Sequence, residues 1–534
     1  MAQKYDSIII GAGHNGLVTA ALLAKAGFKT LVLEARPVLG GAAATEEVFP
    51  GFMVNTGADD AGLFSDKIIA ELDLAAHGLS FLESDVAVFA PQPDGSALTL
   101  WRDEARTVNE IRRLSEHDAD RYPAFAAGIN RMADALRGML LLTPPDLINR
   151  KLSDGATWGP FALNIRRMGG SEMMELLRAL PLSANDYLNE WFESDPLKGA
   201  LAVPALLGNQ LGVRGAGTNF MLLYQHANGF MRYRSVKGGI GRLSAALAAA
   251  AELHGAEIRL GAPVDRILLD GDRAAGILLA DGQEIRSRIV ISNADPRRTF
   301  FNLVEPTNLE PRFMRQVRNI IYRGVTAKMN LALSSLPHFN GQTDAAQLAG
   351  RIRISPSLEY LENAYDAAKY GTISSNPILD MTITTLLDPA LAPGGQHILS
   401  INMQYAPFKL QSSGMAEEEG EIGWENQRER LGDIILDTLS QYSPDLQSLV
   451  LHRQVLTPLD WEREYGLTEG SIHHGQMSLD QLLIMRPVSG WGRYNTPIEN
   501  LFLCDAGTHP GGGVTGAPGY NAAREAIKAL KSSR

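Results

Sequence analysis

The chain opens on a continuous apolar run at residues 7–10, a glycine-rich turn at 11–16, and apolar residues at helical spacing from Leu17 to Ala26 that stop at Gly27. A run that short and unbroken fits a strand covered on both faces in a parallel sheet, and the spacing after the turn fits a helix. Residues 29–33 repeat the apolar run. The pattern predicts strand, helix, strand.

The same texture returns twice. Near the middle, Gly238-Gly239-Ile240-Gly241 leads into a helix ending near His254, followed by strands at 257–260 and 264–269. Asp270-Gly271 and Asp281-Gly282 are turn signals on either side of residues 274–280, so this part reads as an antiparallel meander, with 288–292 a buried strand returning to the main sheet. At the end, residues 500–504 form a short apolar strand before a glycine-rich loop and a helix at 516–530.

These patterns predict an α/β fold in which a discontinuous Rossmann-like domain is assembled from residues 1–75, 231–300 and 491–534. An interleaved α+β substrate domain takes 76–230 and 301–490. Residues 100–230 are mostly of helical pattern, with breaks at Pro144-Pro145, Gly169-Gly170 and Pro181, and the later part carries strands at 326–333, 379–387 and 397–405. Ile398, Ser400, Asn402 and Gln404 alternate with Leu399, Ile401, Met403 and Tyr405, which predicts a sheet with one apolar face. The charge-rich residues 416–423 are expected in a solvated loop or at the acidic start of a helix running to about Ser440.

Size and composition narrow the function. A chain of 534 residues exceeds what one core usually supports, and 45% hydrophobic with 20% charged residues describes an ordinary folded protein. An excess of 60 acidic over 49 basic residues argues against nucleic acid as a partner, while leaving room for a basic patch against a membrane surface and for self-association. The single cysteine, Cys504, allows neither a disulfide framework nor a CxxC redox pair; a buried core thiol is the simplest reading of it. The first strand starts within a few residues of Met1, so no signal or transit peptide is expected. No run reaches the roughly 18 apolar residues of a membrane-spanning helix. The expectation is a cytoplasmic chain, at most peripheral to a membrane.

Gly11-Ala12-Gly13-His14-Asn15-Gly16, set between that strand and helix, is the dinucleotide-binding fingerprint. Gly11 permits the tight turn, Gly13 lets the backbone approach a pyrophosphate, and Gly16 allows close packing of helix on sheet, while the helix N-terminus offers N–H groups to the anion. Glu34, ending the second strand, is placed to accept hydrogen bonds from a ribose. A second glycine element, Arg36-Pro37-Val38-Leu39-Gly40-Gly41-Ala42, follows at once, and a third spans Cys504-Asp505-Ala506-Gly507-Thr508-His509-Pro510-Gly511-Gly512-Gly513-Val514-Thr515. Small residues at both let backbone lie along an extended dinucleotide and against a flavin ring.

Ile10 to Leu17, Gly40-Gly41-Ala42-Ala43 and Gly507 to Val514 resemble the N- and C-terminal FAD signatures of the phytoene desaturase-related flavoproteins, the carotenoid and retinoid oxidoreductase branch of the amine oxidase-like superfamily. Within that branch, Trp191 to Lys198 and Met477 to Leu482 are similar to segments of the pyridine nucleotide-disulfide oxidoreductase domain-containing protein 2 group. The resemblance covers nearly the whole length. It implies FAD, held by Gly11, Gly13, Asn15, Gly16, Glu34, Ala35, Arg36, Gly40, Gly41, Ala42 and Asn293 over its adenosine and pyrophosphate half, with Val264 on the adenine side. Asp505, Gly507, Val514 and Thr515 are expected near the flavin. Many relatives carry a small residue where this chain has Asp505.

No second complete strand–GxGxxG–helix unit follows, so electrons are expected to leave to oxygen, a quinone or another acceptor rather than to a tightly bound nicotinamide. For catalysis the candidates are His509, in the flavin loop, and His474, with a loop-stabilising and an exposed role as their respective alternatives. No ligand set for a metal stands at suitable spacing. The implied function is FAD-dependent dehydrogenation or oxidation of a hydrophobic, polyene- or isoprenoid-like substrate by hydride transfer to flavin. A regulatory or interaction role for the flavoprotein, and amine oxidase chemistry with an aromatic pair flanking the flavin, stay open.

Overall fold

The computed structural model describes residues 4–146, 152–411 and 421–532. Most of the charge-rich segment at 416–423 lies outside them. Two seven-stranded sheets organise the chain. In the first, strand Lys4–Ile10 lies at the centre and pairs in parallel with Thr30–Leu33 on one side and Glu284–Ser292 on the other; Glu257–Arg259 continues beyond Thr30–Leu33. Leu501–Leu503 adds in parallel to the C-terminal half of Glu284–Ser292, and the meander Val264–Asp270, Arg273–Leu279 covers its N-terminal half.

Every residue of 8–10 and 31–33 is buried, which is why those runs show no alternation. Helices His14–Lys25, Gly241–Leu253 and Ala517–Ser532 pack together on one face, where their alanines permit close contact. Strands within residues 4–33, 257–292 and 501–503 all contribute to this sheet.

The second sheet runs in the order Val450–Leu456, Thr326–Leu333, His397–Gln404, Ile378–Ile383, Arg351–Ile354, Val86–Pro91, Ala97–Trp101. Leu331, Met381, Leu399 and Ile401 on one face bury against Leu431, Ile435 and Leu439 of helix Trp424–Ser440. The opposite face is polar, as the alternation of residues 398–405 requires, yet it too is buried: Lys328, Asn330, Asp380, Ser400 and Gln404 are all nearly inaccessible. That face looks onto the nucleotide-type domain.

Two strand ends differ from expectation. The strand expected at 379–387 stops at Ile383, because the Thr385 hydroxyl accepts from the Ile398 N–H and turns the chain. Tyr405 adopts a positive φ of 75°, leaves the ladder and donates its hydroxyl to the Leu211 carbonyl. Helices Glu116–Leu140, Ala184–Trp191 and Asp195–Ala202 form a third body around Phe125, whose ring meets those of Tyr187, Trp191, Phe192 and Phe230. The apolar residues at 199–213 are part of this core. Among the described residues, no helix is long and apolar enough to cross a membrane.

Candidate functional site

The strand Lys4–Ile10 ends at Gly11 and the helix begins at His14, capped by Gly13 with no side chain bonded to the free N–H groups and no acid in the first turn. A helix start left this way is an anion site. A Cβ on Gly13 meets the Asn293 amide at 2.8 Å, so the cradle is open only because Gly13 has none. Gly41 packs alongside, Gly40 holds a φ of 104° that only glycine adopts without strain, and an isolated parallel bridge joins Gly13 to Gly40. Gly16 stands behind this surface: its Cβ position lies 2.2 Å from the Gly11 carbonyl, so its role is the contact between helix and turn.

Glu34 accepts from the Ala12 N–H at 2.7 Å with one oxygen and from the Arg36 N–H at 2.9 Å with the other, and lines the cavity with lone pairs to spare. Arg36 pairs with Glu46 at 2.9 Å and lies over the Tyr465 ring at 4.6 Å. Tyr465 belongs to the second domain, so helix Pro458–Tyr465 covers the end of the cradle that Glu34 and Val264 define.

A cavity of about 560 Å3 runs from this cradle to the polar face of the second sheet. Gly11, Gly13, Asn15, Glu34, Ala35, Arg36, Gly40, Gly41, Ala42, Val264, Asn293, Val514 and His474 line it. Two buried polar atoms at the helix start, Asn15 Oδ1 and His14 Nε2, have no hydrogen-bond partner among the described residues. Burial lowers the His14 imidazole to about 4, assisted by the nearby His474. A neutral ring held at the Gly513 backbone, with its Nε2 free, beside an uncapped helix fits the phosphate half of a dinucleotide.

Gly507, Thr515 and Asp505, expected near the flavin, and His509 of the same loop do not themselves line the cavity, where the loop contributes Ala506, Gly513 and Val514. A Cβ on Gly507 meets the Pro296 ring, and the Thr515 hydroxyl accepts from the Ala517 N–H at 3.2 Å to start the last helix. Asp505 accepts from the Gly507 N–H at 2.6 Å and contacts His474 Nδ1 at 2.7 Å, leaving its other oxygen unpartnered among the described residues. Burial raises its carboxyl above the ordinary value against the pull of those two contacts. His509, expected as an acid–base candidate, is clamped instead: its Nε2 donates to the Met139 carbonyl at 3.1 Å and its own carbonyl accepts from Tyr494 Oη at 2.7 Å. Burial lowers its ring to about 4. His474 thus stands on the cavity with Asp505 behind it, and His509 ties the loop to helix Glu116–Leu140.

The cavity's far wall was not read from sequence. Asp59, Asp60, Tyr233, Arg351, Arg353 and Asp380 line it, with Arg351 at 3.1 Å from Asp59, 3.7 Å from Asp60 and 2.9 Å from Asp380. Arg351-Ile352-Arg353-Ile354 shows strand alternation, the one local signal that two arginines share a face. Arg486 does not line the cavity but holds loop geometry: buried, it donates to the carbonyls of His473, Gly475, Gln476, Gln481 and Ala506. Cys504 is a buried thiol off the cavity, pushed up by burial and donating to Asn293 Oδ1.

Because Asp505 anchors both the loop and the His474 ring, Asp505→Ala strands a buried N–H. The expected cost is about 1–3 kcal/mol in chemical unfolding; a variant as stable as the parent refutes the anchoring role.

The family model of flavin-containing amine oxidoreductases matches residues 16–527. The chain is 34% identical to pyridine nucleotide-disulfide oxidoreductase domain-containing protein 2 of Rattus norvegicus over 100% of this chain and 95% of the relative. It is 29% identical to one of the subunits of limonene dehydrogenase from Castellaniella defragrans over 98% and 94%. To phytoene desaturase of Fusarium fujikuroi it is 25% identical over 96% and 87%.

Proposed function

The chain belongs to the flavin-containing amine oxidoreductase family, and on that premise we propose that it dehydrogenates an isoprenoid-like substrate whose chain is largely apolar. It is an FAD-dependent oxidoreductase. The observation that carries the substrate reading is the cavity shared by the cradle and the second domain, in which Leu63, Ala87, Val88, Pro204, Leu207 and Met231 form apolar wall. A site of that kind gains affinity by burying hydrocarbon. Relatives named for limonene and phytoene support the same class.

FAD, when bound, supplies the two-electron acceptor. The chain's own residues would hold and enclose it: Gly11, Gly13, Gly40 and Gly41 would provide backbone contact, Glu34 would accept from the ribose, and Tyr465 with Arg36 would cover the adenosine end. His474, oriented by Asp505, is the one histidine of the two candidates on the cavity wall, and it is placed to orient substrate or carry a proton. With Cys504 alone and buried, no thiol pair relays electrons.

Amine oxidation is the weaker reading. The adjacent aromatic pair on the cavity wall, Trp461 and Tyr465, is committed elsewhere: Trp461 Nε1 donates to the Thr326 carbonyl and Tyr465 stacks on Arg36. The test is anaerobic mixing of the FAD-loaded protein with terpenes and with primary amines. Bleaching of the visible flavin band by terpenes alone supports the proposal; bleaching by amines alone overturns it.

A further inference from the structure

The cavity wall opposite the cradle is built at odds with a pure hydrocarbon. Arg351 and Arg353 stand there among Asp59, Asp60 and Asp380, with Lys328 buried behind the wall beside Asp59; all but the part-exposed Asp60 are buried. Three formal positive charges balance three negative ones, and the ion pairs lock the group: Arg353 Nε pairs with Asp380 at 3.0 Å, and Lys328 Nζ donates to the Gly57 carbonyl at 2.6 Å beside Asp59. Arg351 Nη1, though close to Asp380, makes no hydrogen bond to a described residue, and beside it the wall carries neutral hydrogen-bonding capacity. The Tyr233 hydroxyl, buried next to Arg351, makes no hydrogen bond of good geometry to a described residue, although the Thr382 side chain lies beside it. The Gln225 side chain on the cavity wall makes no hydrogen bond to any described residue, and Asn402 there engages Asp59 through its Nδ2 alone.

Hydrocarbon against this wall leaves those groups unpaired, which a site does not tolerate without loss of affinity. A carboxylate adds an uncompensated charge to a balanced interior cluster. An uncharged oxygen does neither, since it accepts from Tyr233 and from the amides while keeping the charge sum at zero.

We propose that this wall seats an uncharged oxygen-bearing end, a hydroxyl or carbonyl, of an otherwise apolar substrate, with Tyr233, Gln225 and Asn402 as its hydrogen-bonding partners. The inference rests on the apolar-substrate reading above and narrows it to terpenoid alcohols, aldehydes or ketones. Tyr233 and Gln225 are specificity-determining residues in this scheme; the apolar wall holds the rest of the chain.

The test uses the FAD-loaded protein and two matched sets: limonene, perillyl alcohol and perillate; farnesene, farnesol and farnesoate. Binding is read from perturbation of the visible flavin spectrum, and reaction from anaerobic bleaching. The alcohol of at least one set is expected to bind about 10-fold or more tightly than its hydrocarbon and its acid. Tyr233→Phe and Gln225→Leu are each expected to erase that advantage while leaving FAD content and hydrocarbon binding in place. A hydrocarbon or acid that binds as tightly as the alcohol overturns the inference and leaves the apolar-substrate reading standing, as does an alcohol preference that survives both substitutions. Failure of all six compounds to bind or bleach overturns the apolar-substrate reading itself.

Discussion

Gly13→Val protein is expected to purify folded and colourless. The backbone at Gly13 has φ −64° and ψ 162°, a conformation open to any L residue, so the substitution carries no backbone strain. Its Cβ meets only the end of the Asn293 side chain, which can rotate away. The valine methyl groups then fill the space in front of the uncapped helix start, where a pyrophosphate needs close approach to backbone N–H groups. Loss of FAD affinity by at least about 100-fold is expected, which is about 2.7 kcal/mol. The readout is visible flavin absorbance per protein, with circular dichroism to establish folding.

Gly16→Val separates cofactor loss from fold loss. Its Cβ falls 2.2 Å from the Gly11 carbonyl, a backbone atom that cannot turn aside, so this variant is expected to lose cooperative unfolding as well as colour. A folded, flavin-loaded Gly13→Val protein removes the cradle from the account.

Arg351→Met is expected to show the largest stability loss of any change on the cavity wall, about 3–5 kcal/mol, because it leaves the buried Asp59 and Asp380 and the part-exposed Asp60 facing two cations. The pH dependence identifies the cause. Burial pushes the Asp59 carboxyl up, but in the parent protein Arg351 and Lys328 hold it below its ordinary value of 3.8. That contribution is therefore complete above 3.8 and is lost only as pH falls through the lower folded value. Without Arg351 the burial effect dominates and the folded state takes up a proton that the unfolded state releases. Thermal stability of the variant is expected to rise between about pH 7 and pH 5, where this group gives the parent no change. A variant with a flat profile over that range would place the loss in packing rather than in charge.

The cradle could be read from sequence because its parts are neighbours: Gly11, Gly13 and Gly16 fall within six residues, and the strand before and helix after them declare their own periods. The polar wall is different. Asp59 and Arg351 meet across 292 positions, and an aspartate in a loop or an arginine on a strand looks in sequence like a solvated charge. The alternation at residues 398–405 did announce a polar face, but nothing local says that a second domain buries it. His509 sat in the most suggestive loop of all, and only the position of Met139, 370 residues away, shows its ring to be a fastener. Tyr465 acts through the equally remote Arg36, and Arg486 through nearby backbone carbonyls that no residue type announces, so neither gave a sign of its role.

The threading of the first sheet bears on how the molecule is made. Leu501–Leu503 pairs with Glu284–Ser292, which pairs with Lys4–Ile10, and helix Ala517–Ser532 packs on His14–Lys25. A ribosome releases the opening strand hundreds of residues before the segment that completes its surroundings. The nascent chain must therefore hold an apolar, edge-exposed sheet in waiting through most of its synthesis, in the manner of slow-forming non-local topologies. Molecules interrupted late in translation carry nearly the whole sequence and still lack the closing strand and helix, which makes them clients for chaperones and proteases rather than partly active protein.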